Sequence, residues 1–300
     1  MKSILLMIHS ASHPIYQHNI QSLVAGYMET IKKHKLNIHI VTFGGISDDD
    51  SKRNENIIYD IPEKQVANTL FQAISNMGDY DIIIKTNTNT VINLPLLCEF
   101  CNTHFFENNI LYSGLYMMAY SDNDDSDVIF PSGMFVMASH DTWRSIVNKK
   151  EDAIIYADTN FTNNVSIRHL DAESEKQLVW TGYSDEFLLG ICVKLCGNIR
   201  LRSFSNAMST ISSSKHIIYD SIISKGMMKT DIVENLLIIN CKLDIHTNDS
   251  GGDLFYGSPE EKFREYYEHM MISAICKIFM LKTPSYKDVV GLNEWQYWIG

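Results

Sequence analysis

Three short apolar runs, Ser3–His9, Ile38–Phe43 and Asp81–Lys85, are separated by two stretches with helical spacing. In Tyr16–Lys35 the residues Ile20, Leu23, Val24, Tyr27, Met28 and Ile31 recur every three or four positions, on one face of a helix. Pro62 opens a second helix over Glu63–Met77. A β-α-β-α-β order leaves few topologies, because parallel strands need a crossover and the crossover is right-handed. It predicts an α/β domain with a mostly parallel sheet flanked by helices. The third run carries the most information. From Tyr80 to Pro95 the chain reads Tyr-Asp-Ile-Ile-Ile-Lys-Thr-Asn-Thr-Asn-Thr-Val-Ile-Asn-Leu-Pro, an apolar strand ending in small polar side chains. Pro95 then takes the first position of a third helix. Ligands of open α/β sheets bind at the C-terminal ends of the strands, so a site is expected here.

Later elements follow the same logic. Leu111–Ala119 reads as one strand, followed by an acidic loop, Ser121–Asp127. Asp122–Asp127 lacks the Gly and Glu spacing of a calcium loop and reads as solvated. Phe135–Ala138 reads as a strand, and Asp141 as the N-cap of a helix over Thr142–Lys149. Asp185–Leu195 is helical and Ile199–Phe204 strand-like, before a serine-rich loop over Ser203–Lys215. Two helical stretches close the chain, Ile217–Gly226 and Phe263–Leu281. The second is announced by a capping box, Ser258-Pro-Glu-Glu261. Residues 1–216 are thus expected to form the main domain, with 217–300 a helical extension packed on it. Trp295, Tyr297 and Trp298 are expected to dock the tail.

Composition removes several function classes. With 25 basic against 36 acidic residues, a formal charge of −11, a nucleic-acid-binding surface is not expected. No apolar stretch is long enough to span a bilayer and no leader peptide is visible, so the chain reads as soluble and cytoplasmic. Cys98 and Cys101, like Cys192 and Cys196, have metal-like spacing, but each pair lies on one helical face without the Gly and polar residues of a zinc knuckle. All six cysteines read as free, buried thiols of a reducing compartment. There is no Walker sequence and no Gly-x-Ser-x-Gly elbow, and Gly251-Gly252 lacks the strand–helix setting of a dinucleotide fingerprint.

Three segments, in order, resemble the Fringe and β-1,3-galactosyltransferase-like enzymes. Asp79-Tyr-Asp-Ile-Ile-Ile-Lys85 with the polar cluster after it is similar to the family's strand and Lys-Thr-Asp-Asp-Asp-Thr motif. Phe130-Pro-Ser-Gly-Met-Phe-Val-Met-Ala-Ser139 is similar to its aromatic-Pro-x-Ser-Gly segment. Tyr183–Gly197 resembles its Glu-Asp-Val-x-x-Gly helix. The resemblance spans about Lys2–Phe204. It implies a GT-A-like, Rossmann-like mixed sheet that binds a nucleotide sugar, a UDP-sugar foremost. The activity implied is inverting transfer of a hexose to a hydroxyl acceptor on a glycan, a protein or a small molecule.

The chain departs from the family where metal chemistry resides. The acidic positions fall on Asn87, Thr88 and Asn89, neutral groups with little to offer the family's Mn²⁺ or Mg²⁺. They serve either as hydrogen-bonding partners of a donor or as an Asx-rich turn that ends the strand. The resemblance places Asp185 and Glu186 at the catalytic acid positions, in swapped order, and Glu186 on the base itself. Adjacent acids at a helix start are expected to point apart, with one of them a cap. A donor's diphosphate would meet Lys85, unless that residue packs beneath the turn, together with Lys215 and His216 on a closing loop. Ser10, Ala11, Ser12 and His13, at the end of the first strand, are candidate contacts to base and ribose. Ser132, Gly133, Trp180 and Tyr183 are candidates for the sugar or acceptor. Against this stands an alternative: a catalytically inactive relative acting as a carbohydrate-binding or scaffold protein.

Overall fold

A computed structural model describes residues 1–10, 14–43, 57–59, 70–71, 74–75, 78–103, 108–120, 127–161, 165–170, 175–178, 185–204, 208–210, 237–241, 259–281 and 293–295. The chain begins with β1 (Ile4–His9), α1 (Pro14–His34), β2 (Ile38–Phe43), β3 (Ile57–Tyr59) and β4 (Ile82–Asn87). Of the helix expected over Glu63–Met77, Leu70, Phe71, Ile74 and Ser75 are described, and they are helical. Next come β5 (Thr90–Ile92), α2 (Leu94–Thr103), β6 (Ile110–Ser113), β7 (Tyr116–Tyr120), β8 (Val128–Pro131) and β9 (Phe135–Ser139). Two helices follow, α3 (His140–Val147) and α4 (Lys150–Asn160), then β10 (Val165–His169) and β11 (Glu175–Leu178). The chain closes with α5 (Asp185–Cys196), β12 (Arg200–Ser203), β13 (Met208–Thr210), β14 (Ile238–Asn240), α6 (Pro259–Leu281) and β15 (Asn293–Trp295).

The fold is α/β, with a mixed, mostly parallel sheet flanked by helices. Among the described residues the main sheet runs β15-β12-β6-β9-β4-β1-β2-β3. β1 is parallel to both β2 and β4, and β2 to β3. β9 is antiparallel to β4 and β6, while β6 and β12 are parallel to each other. The chain therefore leaves β1 toward β2 and β3, then returns to add β4 on its other side. That reversal makes the C-terminal ends of β1 and β4 the topological switch point, where open α/β sheets bind ligands. Two smaller sheets, β11-β10-β7-β8 and β13-β14-β5, complete the strands.

Period-two alternation divides the core. Ile4, Leu6, Ile8, Ile82 and Ile84 face α1, α2 and α6. Leu5, Met7 and Ile83 face the layer that holds Trp143 and α5. Trp143 donates its indole N–H to the Ile83 carbonyl at 2.9 Å, tying α3 to β4.

Three local expectations are corrected. Leu111–Ala119 is two strands, β6 and β7, in different sheets. Ser113 Oγ donates at 2.7 Å to the Leu115 carbonyl and takes the chain through the bend at Gly114. The N-cap of α3 is Ser139, whose Oγ accepts from the Thr142 N–H, while Asp141 lies in the first turn. Pro95 is the second residue of α2, because Asn93 is the residue whose side chain accepts from Leu96 N–H at 3.3 Å. The stretch Ile217–Gly226 and the residues Tyr297 and Trp298 lie outside the described residues. Trp295 belongs to β15, which pairs with β12 at one edge of the main sheet. No helix among the described residues is long and apolar enough to cross a membrane.

Candidate active site

The candidate site lies at the C-terminal ends of β1 and β4. Lys85 lies on the same face of β4 as Ile83, one step before the polar turn. Its side chain is buried, and its ammonium lies 3.1 Å from Asp185 Oδ2 and 2.8 Å from Glu186 Oε1. A longer contact, 3.4 Å, reaches the Gly133 carbonyl. Three oxygens thus surround a group with three N–H donors. Lys85, a candidate for the donor phosphate, instead packs beneath the turn and faces the acids.

Both acids sit in the first turn of α5, where the helix dipole favours negative charge. The expectation that they point apart is corrected: both reach the same ammonium. The Asp185 side chain is 5% exposed and that of Glu186 is 20% exposed. Only glycine allows this arrangement at position 133. A Cβ there would lie 2.0 Å from Glu186 Oε1 and 3.3 Å from Lys85 Nζ.

Charge is divided unevenly within the cluster. Burial works against the Lys85 ammonium, but the flanking carboxylates outweigh it and hold the group protonated. Burial also opposes ionisation of Asp185, yet Lys85 and the hydrogen bond from Glu186 bring its pKa below the usual carboxylate range. Glu186 moves the other way: burial and the neighbouring Asp185 charge raise it, with Lys85 opposing. Of the two neighbouring carboxyls, Asp185 is therefore the one that ionises first. A glutamate with a raised pKa is a stronger proton acceptor than an ordinary carboxylate.

One residue of this site was not singled out in the sequence. His9 lies opposite Asn87 and Phe43 in the sheet register, and its ring packs against Phe43 at 5.2 Å between centroids. Burial, aided by Lys85 and opposed by Glu186, lowers its pKa to about 4, so its imidazole is neutral at physiological pH. The available signal was alternation, since His9 shares the face of Leu5 and Met7, the face that Lys85 occupies on β4.

The polar turn is closely held. Asn87 Oδ1 accepts from Thr90 Oγ1, and Asn89 C=O accepts from Cys241 N–H at 2.7 Å. Thr88 and Asn89 are buried. Of the remaining candidates, Ser10 accepts from the Gln17 amide at 3.3 Å, and Ser132 is buried beside Gly133. Asn89 Oδ1 and Ser132 Oγ are buried without an aligned hydrogen-bond partner among the described residues. Buried polar atoms are normally satisfied, so these two are available to a ligand's polar groups. Ala11, Ser12, His13, Trp180, Tyr183, Lys215 and His216 lie outside the described residues. Two surface hollows of about 310 and 350 Å³ lie elsewhere, between α1 and α6 and around Asp79–Asp81 with α3.

The family's divalent metal does not fit this turn. Asn87 and Asn89 offer neutral amide oxygens, and that of Asn87 is already engaged by Thr90. Mn²⁺ and Mg²⁺ require hard, charged oxygens. Among the described residues no three His, Cys, Asp or Glu side chains cluster as ligands. The six cysteines are free, and all but Cys196 are buried.

No protein-family model matches the sequence, and no curated protein matches it. Among solved structures, the galactosyltransferase LgtC in complex with donor and acceptor sugar analogues aligns over 94% of this chain and 97% of its own, at 10% identity and a TM-score of 0.43. A glycosyltransferase involved in glycosylation of the major capsid of PBCV-1 aligns over 89% and 99%, at 9% identity and a TM-score of 0.41. The catalytic domain of Drosophila β1,4-galactosyltransferase 7, in complex with xylobiose, aligns over 49% of this chain and 52% of its own, at 10% identity and a TM-score of 0.30. The chain thus spans about half the length of that domain.

Proposed function

We propose that this chain is a glycosyltransferase that moves a hexose from a nucleotide sugar, a UDP-sugar foremost, to a hydroxyl acceptor with inversion. The observation that carries this reading is the buried Lys85–Asp185–Glu186 cluster at the switch point of the sheet, where β1 and β4 pair. A carboxyl of raised pKa at that place matches what transfer to a hydroxyl requires. The acceptor oxygen attacks the anomeric carbon, and its proton passes to Glu186. The bond from that carbon to the diphosphate breaks, and its electron pair leaves with the nucleoside diphosphate. Asn89 Oδ1 and Ser132 Oγ, buried without partners among the described residues, are in this reading hydrogen-bonding groups for the bound donor and sugar. Charge on the leaving diphosphate falls to Lys215 and His216 rather than to a divalent ion, because the Asn87–Asn89 turn lacks anionic ligands.

Two measurements test this reading. Calorimetric titration with a panel of nucleotide sugars, each with Mn²⁺ and with EDTA, should show binding that changes little on chelation. A hundredfold loss of affinity in EDTA would sink the metal-free mechanism. Glu186→Gln should lower turnover by about 10²–10⁴-fold, the usual contribution of a general base, while donor binding persists. Unchanged turnover would remove Glu186 from the mechanism. A second reading, a silent carbohydrate-binding relative, is favoured by one observation: the Asn87–Thr90 contact engages the Asn87 oxygen within the turn itself. Binding of glycans without any binding of nucleotide sugars would decide for it.

A further inference from the structure

Lys85 and Asp185 are chemically costly to bury and have no direct part in the transfer just described. Removing an ammonium and a carboxylate from water is repaid only where geometry is good and the remaining polar atoms are engaged. Here the geometry is directed at a third group. Lys85 Nζ binds Glu186 Oε1 at its shortest distance, 2.8 Å, and Gly133 leaves open the space that this oxygen fills. Asp185 Oδ2 pairs with the same nitrogen at the longer distance of 3.1 Å.

We infer that Lys85 and Asp185 are a positioning pair for Glu186, with Lys85 anchoring one carboxylate oxygen against Gly133 and Asp185 balancing the charge beneath. This rests on the reading of Glu186 as the proton acceptor. The exposed fifth of the Glu186 side chain is then the part that meets an acceptor hydroxyl. The two partners act on Glu186 with opposite sign. The Lys85 cation favours its ionised form and the Asp185 anion disfavours it. Among the described residues, two further groups face it. His9, from β1, is neutral near pH 7, and the β8–β9 turn presents the Gly133 carbonyl. The charges of Lys150 and Asp152 on α4 act on Cys192, farther along α5.

The test compares the acid limb of the pH–rate profile in wild type, Lys85→Met and Asp185→Asn. It also follows the Glu186 carboxyl by ¹³C NMR titration, assigned by subtraction of Glu186→Gln. A charge a few ångströms away moves a carboxyl by about 1–3 pH units. Asp185→Asn should shift both the limb and the titration to lower pH by at least about one unit. Lys85→Met should shift both to higher pH. If Lys85→Met fails to fold, the double variant Lys85→Met/Asp185→Asn removes the buried pair together, and its titration should lie above that of Asp185→Asn alone. Shifts in the same direction, or none, would overturn the inference. So would loss of turnover by Asp185→Asn at every pH, which would make Asp185 the base. The NMR titration needs no substrate, so it decides the positioning role even for a protein that binds no nucleotide sugar.

Discussion

At the scale of single residues the site depends on one missing side chain. Gly133→Ala would drive its Cβ to 2.0 Å from Glu186 Oε1, and the carboxylate would have to leave Lys85. Displacing a reacting group by about 1 Å can cost about 100-fold, so turnover should fall at least that far in a single-turnover assay with donor affinity little changed. A Gly133→Ala protein that matches wild type would mean Glu186 works from another rotamer. The acid pair was legible in the sequence because two carboxylates at a helix start are a local pattern. Their shared partner was not legible, since 100 residues separate Lys85 from Asp185 and nothing local announces the pairing. His9 was equally hidden: it looked like the last residue of an apolar strand.

At the scale of elements, α5 is placed by another close approach. A Cβ at Gly190 would come within 2.5 Å of Phe130 Cβ and 2.7 Å of the Ile129 carbonyl oxygen. The β8 backbone cannot yield cheaply, so Gly190→Ala should lift α5 and the acids at its start. A loss of about 1–3 kcal/mol is expected in urea unfolding, as for other overpacked positions, accompanied by reduced turnover. Strands and helices with strong periodicity were legible from sequence, β1, α1, β2 and β4 among them. The division of Leu111–Ala119 was not, because an apolar run has the same pattern whether it stays in one sheet or crosses to a second. The strands β10 and β11 carry the mixed sequences Val-Ser-Ile-Arg-His and Glu-Lys-Gln-Leu and are paired mainly through tertiary context.

At the scale of the whole molecule, stability should depend on pH through His9. Its pKa is lowered from 6.5 to about 4 in the folded chain. Between those values the unfolded chain binds a proton that the folded chain refuses, so stability is full above pH 6.5 and declines as pH falls toward 4. The Tm of wild type should drop over that window more steeply than that of His9→Gln. Parallel curves would mean that the imidazole protonates without penalty. The helix pair α1 and α6 offers a different handle. Cys276 is 3% exposed, its thiol is pushed by burial up to about 12, and its Cβ and Sγ occupy the space left by Gly26. An alkylating reagent reaches that sulfur more readily when the two helices part, whereas Cys196 stands partly open on the opposite layer. The ratio of the two labelling rates is therefore a built-in clock for helix detachment.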